Sequence, residues 1–457
     1  MSYTDFLARK AIIDPMTGIE DVPELPECLF PHQRDIVAWA LKRGRAALFA
    51  GTGLGKSLME LAWGQVVNAH TGKPILHLAP LAVSNQMVRE AAKFGISAHL
   101  GDGEGICITN YQKLDHFDLS KFGGIILDES SILKSTDGHY RTRLIDASQS
   151  IPFRLAATAT PAPNDFMELG NHAEFLGIMS YTDMLATFFT HDGGETQKWR
   201  LKGHAENEFW KWMASWAVML RKPSDLGYPN DGYDLPSLNF VQHMVGIEYA
   251  PNLETGLLFP MQAETMQERI AARRATVEQR CEMAAQVTPR DRPFVWWCNL
   301  NSEAEMLAKL IPGAVNLHGG LKDSEKERIL IDFSEGRISH LVTKASLAGF
   351  GMNWQHCADT GFVGLNDSFE QFYQAVRRFW RFGQEKPVTC HIIASELEGA
   401  TVSNIKRKES DAERMAAAMV LHMADLSSAA VRGSIRETPN YNPQQPVIIP
   451  SFIRKSA

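Results

Sequence analysis

At 457 residues the chain exceeds one ordinary domain, and its 44% apolar and 22% charged content is that of a globular protein with material for sizeable cores. No apolar run reaches the roughly 18 residues of a membrane span, and Met1 to Glu24 carries acids throughout instead of the basic and apolar blocks of a signal peptide. A net charge of −7 argues against bulk attraction to nucleic acid, although a motor that grips a few phosphates in a local groove escapes that argument. Cys28, Cys107, Cys281, Cys298, Cys357 and Cys390 form no Cys-x-x-Cys pair, which predicts reduced, mostly buried thiols. None of the 15 histidines has metal-ligand spacing.

Along the chain, short continuous apolar runs alternate with helix-like stretches from about Leu29 to Leu155. The runs are Ala46 to Phe49, Ile75 to Ala79, Ile106 to Ile108, Ile125 to Leu127 and Arg154 to Ala157. Runs of this kind predict parallel strands covered on both faces. The pattern recurs between Arg292 and Ala394, at Phe294 to Trp297, Ala314 to Leu317, Leu341 to Thr343, Phe362 to Leu365 and Val388 to Ile393. Between the two regions, Glu206 to Leu220 and Met261 to Ala285 read as helices, with a Gly-, Pro- and Asp-rich loop over Gly227 to Leu238. Phe209, Trp210, Trp212 and Trp216 suit the core of a helical protrusion better than a base-stacking platform. Trp296 and Trp297 read as packing in a buried strand, and the proline-rich stretch from Arg432 as an extended tail.

Ala50-Gly51-Thr52-Gly53-Leu54-Gly55-Lys56-Ser57 follows the first run and opens a helix expected over Leu58 to Ala69. Glycines let backbone N–H groups curl around phosphate oxygens at a helix N-terminus, where negative charge is favoured. Lys56 would reach the β and γ phosphates of a nucleotide, and the Ser57 hydroxyl is placed to ligate magnesium. Ile125-Ile126-Leu127-Asp128-Glu129 is a strand ending in two acids, one suited to a magnesium shell and the other to the attacking water. Thr158-Ala159-Thr160 lies past another strand, so the three segments share the carboxyl edge of one parallel sheet. In the second region, Asp367 to Phe382 reads as a helix stopped by Gly383, with Gln374, Arg378 and Arg381 on one face. Two neighbouring arginines call for an anion, and the γ-phosphate is the natural one here.

With these clusters assembled, the chain resembles a superfamily II helicase, specifically the Swi/Snf-type translocase branch, from Leu29 to about Ala394. Leu29-Phe30-Pro31-His32-Gln33 is similar to that family's adenine-reading segment, which implies Gln33 as the base contact. Ala79-Pro80-Leu81 and Thr109-Asn110-Tyr111 resemble its strand-touching segments. Asp128-Glu129-Ser130-Ser131 with Lys134 resembles its hydrolysis motif, and Thr158 to Asn164 its coupling motif. In the second lobe His318-Gly319-Gly320, Arg328, Phe333, Thr343-Lys344-Ala345, Gly349, Gly351 and Asn353 fit, and Gln374 to Gln384 matches the arginine-finger motif. Three features depart from the pattern. Ser131 stands where His or Gln is usual, Arg377 and Trp380 replace an acid and a histidine, and the segment between the lobes is short for a chromatin remodeller.

The resemblance implies an α/β fold of two RecA-like parallel-sheet lobes with helical insertions between them. The expected division is an N-terminal extension (1–24), lobe 1 (25–175), a helical protrusion and linker (176–290), lobe 2 (291–420) and a tail (421–457). It implies an ATPase with Lys56, Asp128, Glu129, Arg378 and Arg381 as catalytic residues. Gln33, Gly51, Thr52, Gly53, Leu54, Gly55, Lys56, Ser57 and Gly351 would hold ATP, and Ser57 and Asp128 its Mg2+. The expected action is translocation along DNA, duplex favoured over forked or single-stranded. A minimal bacterial or phage monomer in the cytoplasm fits, acting with a nuclease or replication partner and with no membrane. The rivals are a strand-separating or branch-migrating helicase, a single-lobe phosphoryl-transfer enzyme, and a catalytically dead scaffold.

Overall fold

A computed structural model of the protein describes residues 16–134, 139–162, 165–191, 199–246, 273–348, 353–365, 368–395 and 399–431. Pro163, Asn164, Gly349, Gly351, Asp367 and the tail from Arg432 lie outside these residues, as do residues 261–272 of the helix expected from Met261.

The first region runs α1 (Pro31–Arg43), β1 (Arg45–Ala50), α2 (Lys56–Thr71), β2 (Ile75–Ala79), α3 (Leu81–Lys93), β3 (Ala98–Leu100), β4 (Ile106–Asn110) and β5 (Gly124–Asp128). It continues through α4 (His139–Ser148), β6 (Phe153–Thr158), α5 (Leu169–Leu176), α6 (Tyr181–Phe188), β7 (Phe189–His191), β8 (Trp199–Leu201), α7 (Glu206–Trp216) and β9 (Ala217–Leu220). Among the described residues its sheet has the order β3-β4-β2-β5-β6-β1-β9, and every pairing in it is parallel. β7 and β8 form a separate antiparallel pair.

The second region holds β10 (Leu238–Val245), α8 (Val277–Val287), β11 (Phe294–Cys298), α9 (Asn301–Leu310), β12 (Ala314–Leu317), α10 (Asp323–Ser334), β13 (His340–Thr343) and α11 (Ala345–Ala348). β14 (Asp359–Val363), α12 (Phe369–Val376), β15 (Val388–Ser395) and α13 (Gly399–Val431) complete it. Its sheet has the order β10-β15-β14-β11-β13-β12, again parallel throughout. The chain therefore folds into two parallel-sheet α/β lobes of the RecA-like kind, each sheet with an apolar core on both faces.

All ten apolar runs are strands in these sheets, with one displaced: the run at Phe362 to Leu365 pairs as Asp359–Val363, ended by Gly364 at φ 71°. Glu206 to Leu220 is not helical throughout. α7 stops at Trp216, and Ala217–Leu220 pairs parallel with Ala47 to Ala50, so the first sheet extends beyond the residues expected to form that lobe. β10 starts the second sheet within residues expected to form the linker. α13, 33 residues and about 50 Å long at 1.5 Å per residue, crosses back from the second lobe to the first. Ala412 packs on the second lobe's core, while Met419 and Met423 are buried in the first lobe's core and Val431 in its opposite face. α13 lies against β9, the edge strand of the first sheet, and so covers an edge that would otherwise be open. Phe209, Trp210, Trp212 and Trp216 are buried in the same core, the packing role expected of them. Trp296 and Trp297 are buried in β11, their indole N–H groups donating to Thr288 Oγ1 (2.8 Å) and Thr360 Oγ1 (2.9 Å). All six cysteines are free thiols, five of them buried.

Candidate active site between the lobes

The phosphate-loop segment leaves β1 and turns through Gly53 (φ 91°) and Gly55 (φ 78°), conformations that disfavour any residue with a Cβ. A Cβ on Gly53 would lie 2.8 Å from the backbone nitrogen of Phe382, so the second lobe's finger segment rests directly on this loop. Gly51 N donates to Leu220 O at 2.9 Å, tying the loop to the end of β9. Lys56 Nζ donates to Ala50 O at 2.9 Å and so curls over the loop, with Ser57 beside it in the first turn of α2. The Thr52 hydroxyl is buried without a protein partner.

Gln33 is buried beneath the loop in α1. Its Nε2 donates to Leu54 O (2.9 Å) and its Oε1 accepts from Phe30 N (3.0 Å), so the amide braces the loop at Leu54 and Gly55. Around it Phe30 and Tyr233 meet Phe382 of the second lobe, with His32 packed edge-on against Tyr233 and the Tyr233 and Phe382 rings 4.5 Å apart.

Asp128 ends β5 and is buried. Burial, then Glu60 and Glu129, push its carboxyl well above the usual range, with His77 and Lys56 opposing. Glu129 takes φ 55°, the one non-glycine residue at positive φ among those described, and its Oε2 accepts from Thr158 Oγ1 at 3.2 Å. A strained backbone held by a neighbouring hydroxyl marks a site whose surroundings fix it. Thr158 Oγ1 also accepts from Thr160 N at 3.2 Å, so the segment past β6 holds Glu129. Tyr111 does not turn outward as a strand-touching residue: it is buried, and its hydroxyl donates to Asp128 O at 2.6 Å.

Behind the acid pair lies a buried couple that sequence reasoning missed. His77 on β2 and Ile126 on β5 are register partners, so their side chains share the face of the sheet with Asp128 two residues on. α2 packs on that face, with Ile126 against Gly64. Glu60 of α2, fully buried, meets His77 Nε2 through its Oε2 at 2.8 Å. Burial is the first cause of pushing the Glu60 carboxyl up to about 8, and of holding the His77 imidazole down to about 4. Burial therefore favours the uncharged form of both partners, a carboxyl hydrogen-bonded to an imidazole. A lone acid in the apolar run Leu58 to Trp63 and a lone histidine in Ile75 to Ala79 are its only traces in the sequence.

The finger segment departs from the expected helix. α12 starts at Phe369, capped by Ser368 Oγ accepting from Gln371 N, and ends at Val376. The next residues tighten into a turn (Arg378 N to Ala375 O, 3.2 Å; Phe379 N to Val376 O, 3.1 Å), and Arg378 O accepts from Trp354 N at 3.0 Å. Gln374 is thus helical, while Arg378 and Arg381 project from the turn. Arg378 is buried, with Nε donating to Gln374 O and Nη2 to Gln374 Oε1, both at 3.1 Å. Burial, then Arg381, lowers its guanidinium to about 9, against the pull of Glu129 and Asp128 across the cleft. Arg381 is lowered to about 10 by burial, against the electrostatic pull of Glu90 on α3 of the first lobe, an acid the sequence did not suggest. Arg377 and Trp380, the two departures in this motif, form one stack. The Arg377 guanidinium lies 4.2 Å from the Trp380 ring and 4.8 Å from Tyr373, and the Trp380 indole donates to Pro236 O at 2.6 Å.

Two further contacts cross the lobes: Ser131 Oγ donates to Glu370 Oε1 at 2.6 Å, and Lys134 pairs with Glu370 Oε2. A cavity of about 1030 Å³ also opens between the lobes, with Gly51, Thr52 and Thr160 on one wall, Arg377 and Phe382 on another, and α13 closing it.

Residues 281–383 match the sequence model of the helicase conserved C-terminal domain, a span reaching from α8 to the end of the finger motif. The match indicates a superfamily II helicase-like protein. No curated protein matches the chain. In this helicase-like chain the matched region is the lobe that presents Arg378 and Arg381, and ATPases of this kind use ATP with magnesium. Asp128, crowded by Glu60 and Glu129 and destabilised as an anion, has the character of a carboxylate that a divalent cation would relieve, and Ser57 lies at the loop beside it. Among the described residues no helix is long and apolar enough to cross a membrane.

Proposed function

We propose that the chain is an ATP-dependent DNA translocase of the Swi/Snf type, moving along duplex DNA without separating its strands. The observation that carries the ATPase part is the meeting of two lobes at one place. Arg378 feels Asp128 and Glu129 electrostatically, and the Arg381-Phe382 backbone rests on Gly53.

In this reading Gly51 to Ser57 cradle the phosphates with backbone N–H groups, and Lys56 leaves Ala50 O for the β and γ phosphates. Gln33 and Gly351 would border the nucleotide. Mg2+, held by Ser57 and Asp128 together with phosphate oxygens, would supply neutralisation of phosphate charge. Glu129, fixed by Thr158, orients the attacking water and takes its proton. Arg378 and Arg381 approach the γ-phosphate from the second lobe and balance the charge that develops there, so hydrolysis is complete only when the lobes are closed. Closure and reopening then shift the lobes along the DNA backbone.

Burial of Trp210, Trp212 and Trp216 supports the duplex reading over a single-stranded one, since these rings are not offered as a stacking platform. The test is ATP turnover with duplex, forked and single-stranded DNA and with RNA, together with triplex displacement on a blunt duplex and unwinding of a labelled fork. Third-strand displacement with an intact fork is expected. Fork unwinding without displacement would favour a strand-separating helicase, and stimulation by RNA alone would overturn both readings.

A further inference from the structure

Glu370 is the residue through which the finger helix of the second lobe touches the acid-bearing segment of the first. It lies in the first turn of α12, one turn before Gln374 and two before Arg378. Its two carboxylate oxygens are divided between two donors of one 3₁₀ turn, Ser130–Lys134, which follows Glu129 directly. Oε1 accepts from Ser131 Oγ at 2.6 Å, and Oε2 pairs with the Lys134 ammonium. Ser131 is fully buried and the Glu370 side chain is 18% exposed, so solvent competes little for the hydrogen bond between them, while the Lys134 side chain, 36% exposed, makes the more solvated of the two contacts. The Ser131 hydroxyl also lies 3.5 Å from the carbonyl of Glu129, the residue with the strained backbone. At the other end, the Gln374 carbonyl and side chain hold Arg378. One connected path therefore runs from Glu129 through Ser131, Glu370 and the first two turns of α12 to Arg378.

A second ion pair between the lobes is of a different kind. Arg89 and Glu327 meet with side chains 50% and 39% exposed, and neither bonds to the acid pair or to the residues of the finger turn. Exposed pairs of this sort contribute little. Charge-assisted hydrogen bonds made in a mostly buried setting fix geometry as well as energy.

We propose that Glu370 is a positioning residue that sets the register of the two lobes, holding Arg378 opposite Glu129 when Ser131 and Lys134 engage its carboxylate. Ser131 then does the coupling expected of the bulkier His or Gln at its position, with the second lobe supplying the reach that a short hydroxyl lacks. The inference rests on the ATPase reading above.

The test is a double-mutant cycle on the full chain with Ser131→Ala and Glu370→Gln, each measured for duplex-stimulated ATP turnover. Each variant should lower kcat about 10- to 100-fold, the loss expected when a charge-assisted hydrogen bond is cut, with KM for ATP changed less than about threefold. Because both open the same link, the double variant should be no slower than the slower single one. The exchange Lys134→Glu with Glu370→Lys should recover part of the turnover lost in either single exchange, and Glu327→Gln should leave turnover unchanged. Additive losses, losses that appear equally in KM, or an equal effect of Glu327→Gln would overturn the proposal. If wild-type protein shows no stimulated turnover, the function itself fails, and the register is then read from the distance between labels on the two lobes. That distance distribution should broaden in Glu370→Gln and not in Glu327→Gln, and an unchanged distribution in Glu370→Gln would overturn the register role.

Discussion

Replacing Arg378 by alanine separates a catalytic from a structural role, because the side chain does two measurable things. Its Nε and Nη2 satisfy the carbonyl and side-chain oxygen of Gln374 inside a buried turn. Removing them strands two acceptors, a cost of about 1–3 kcal/mol that appears as lost thermal stability. Its guanidinium, lowered to about 9 by burial while Glu129 and Asp128 favour its charged form, is the group that would meet the γ-phosphate. An arginine finger supplies about 10³-fold or more in rate, on the order of 4 kcal/mol, well above the structural loss. Arg378→Ala should therefore cut kcat by about 10³ while ATP affinity, measured by equilibrium binding at saturating protein stability, falls by less than about tenfold. Arg378→Lys should recover the fold stability poorly, since an ammonium cannot reproduce two divergent guanidinium bonds. A kcat within tenfold of wild type, or equal losses in affinity and rate, would refute the finger assignment and leave Arg378 as a lobe-packing residue.

Glu129→Gln should bind ATP nearly as wild type and turn over at a background rate, because the amide keeps the Thr158 contact but cannot take a proton; single-turnover hydrolysis checks it. Gly55→Ala should destabilise the fold by about 1–2 kcal/mol for the left-handed backbone alone, more as the new Cβ, 2.2 Å from Gln33 Nε2, displaces the amide, and should weaken ATP binding in the same titration. For Glu60 the folded carboxyl is raised from 4.5 to about 8, so its stabilising proton is fully present below pH 4.5 and is lost as pH rises towards 8. Glu60→Gln keeps a donor for His77 and has no proton to lose, so its melting temperature should fall less than wild type's between pH 5 and 8 (about a few degrees of difference), and parallel curves would refute the buried neutral pair.

Most of the fold was legible because parallel strands covered on both faces announce themselves as unbroken apolar runs, as Ile75 to Ala79 does to the residue. The elements that escaped break that rule in opposite ways. β9 follows α7 with no turn residue between Trp216 and Ala217, and Ala-Val-Met-Leu extends an apolar helix as readily as it forms a strand. Only pairing with β1 decides the matter. β10 is an edge strand, buried on few of its positions, so Leu238 to Val245 mixes Asn, Gln and His with exposed Phe240, Val241 and Met244 and shows no continuous run. α12 ends at Val376 for a tertiary reason as well: Trp354 N takes the Arg378 carbonyl, which a continuing helix would have used itself.

The candidate site divides along the same line. Motif residues held by local backbone, such as Gly53, Gly55, Lys56 and the acids after β5, could be placed from spacing, because a strand, a turn and a helix N-terminus are contiguous in the chain. Residues that act across the sheet or the cleft could not. Glu60 and His77 are 17 positions apart and meet only because α2 packs on the face that β2 and β5 present. Ser131 reads as a deficient coupling residue in the sequence, where its hydroxyl is too short to reach far. It becomes sufficient only when Glu370, 239 positions away, is brought within 2.6 Å. The same holds for Arg377 and Trp380, each a loss when compared singly with the family pattern and a stacked cation–ring pair when seen together. A substitution in a motif shared by two lobes has to be judged against the residue it faces, and that residue is set by packing.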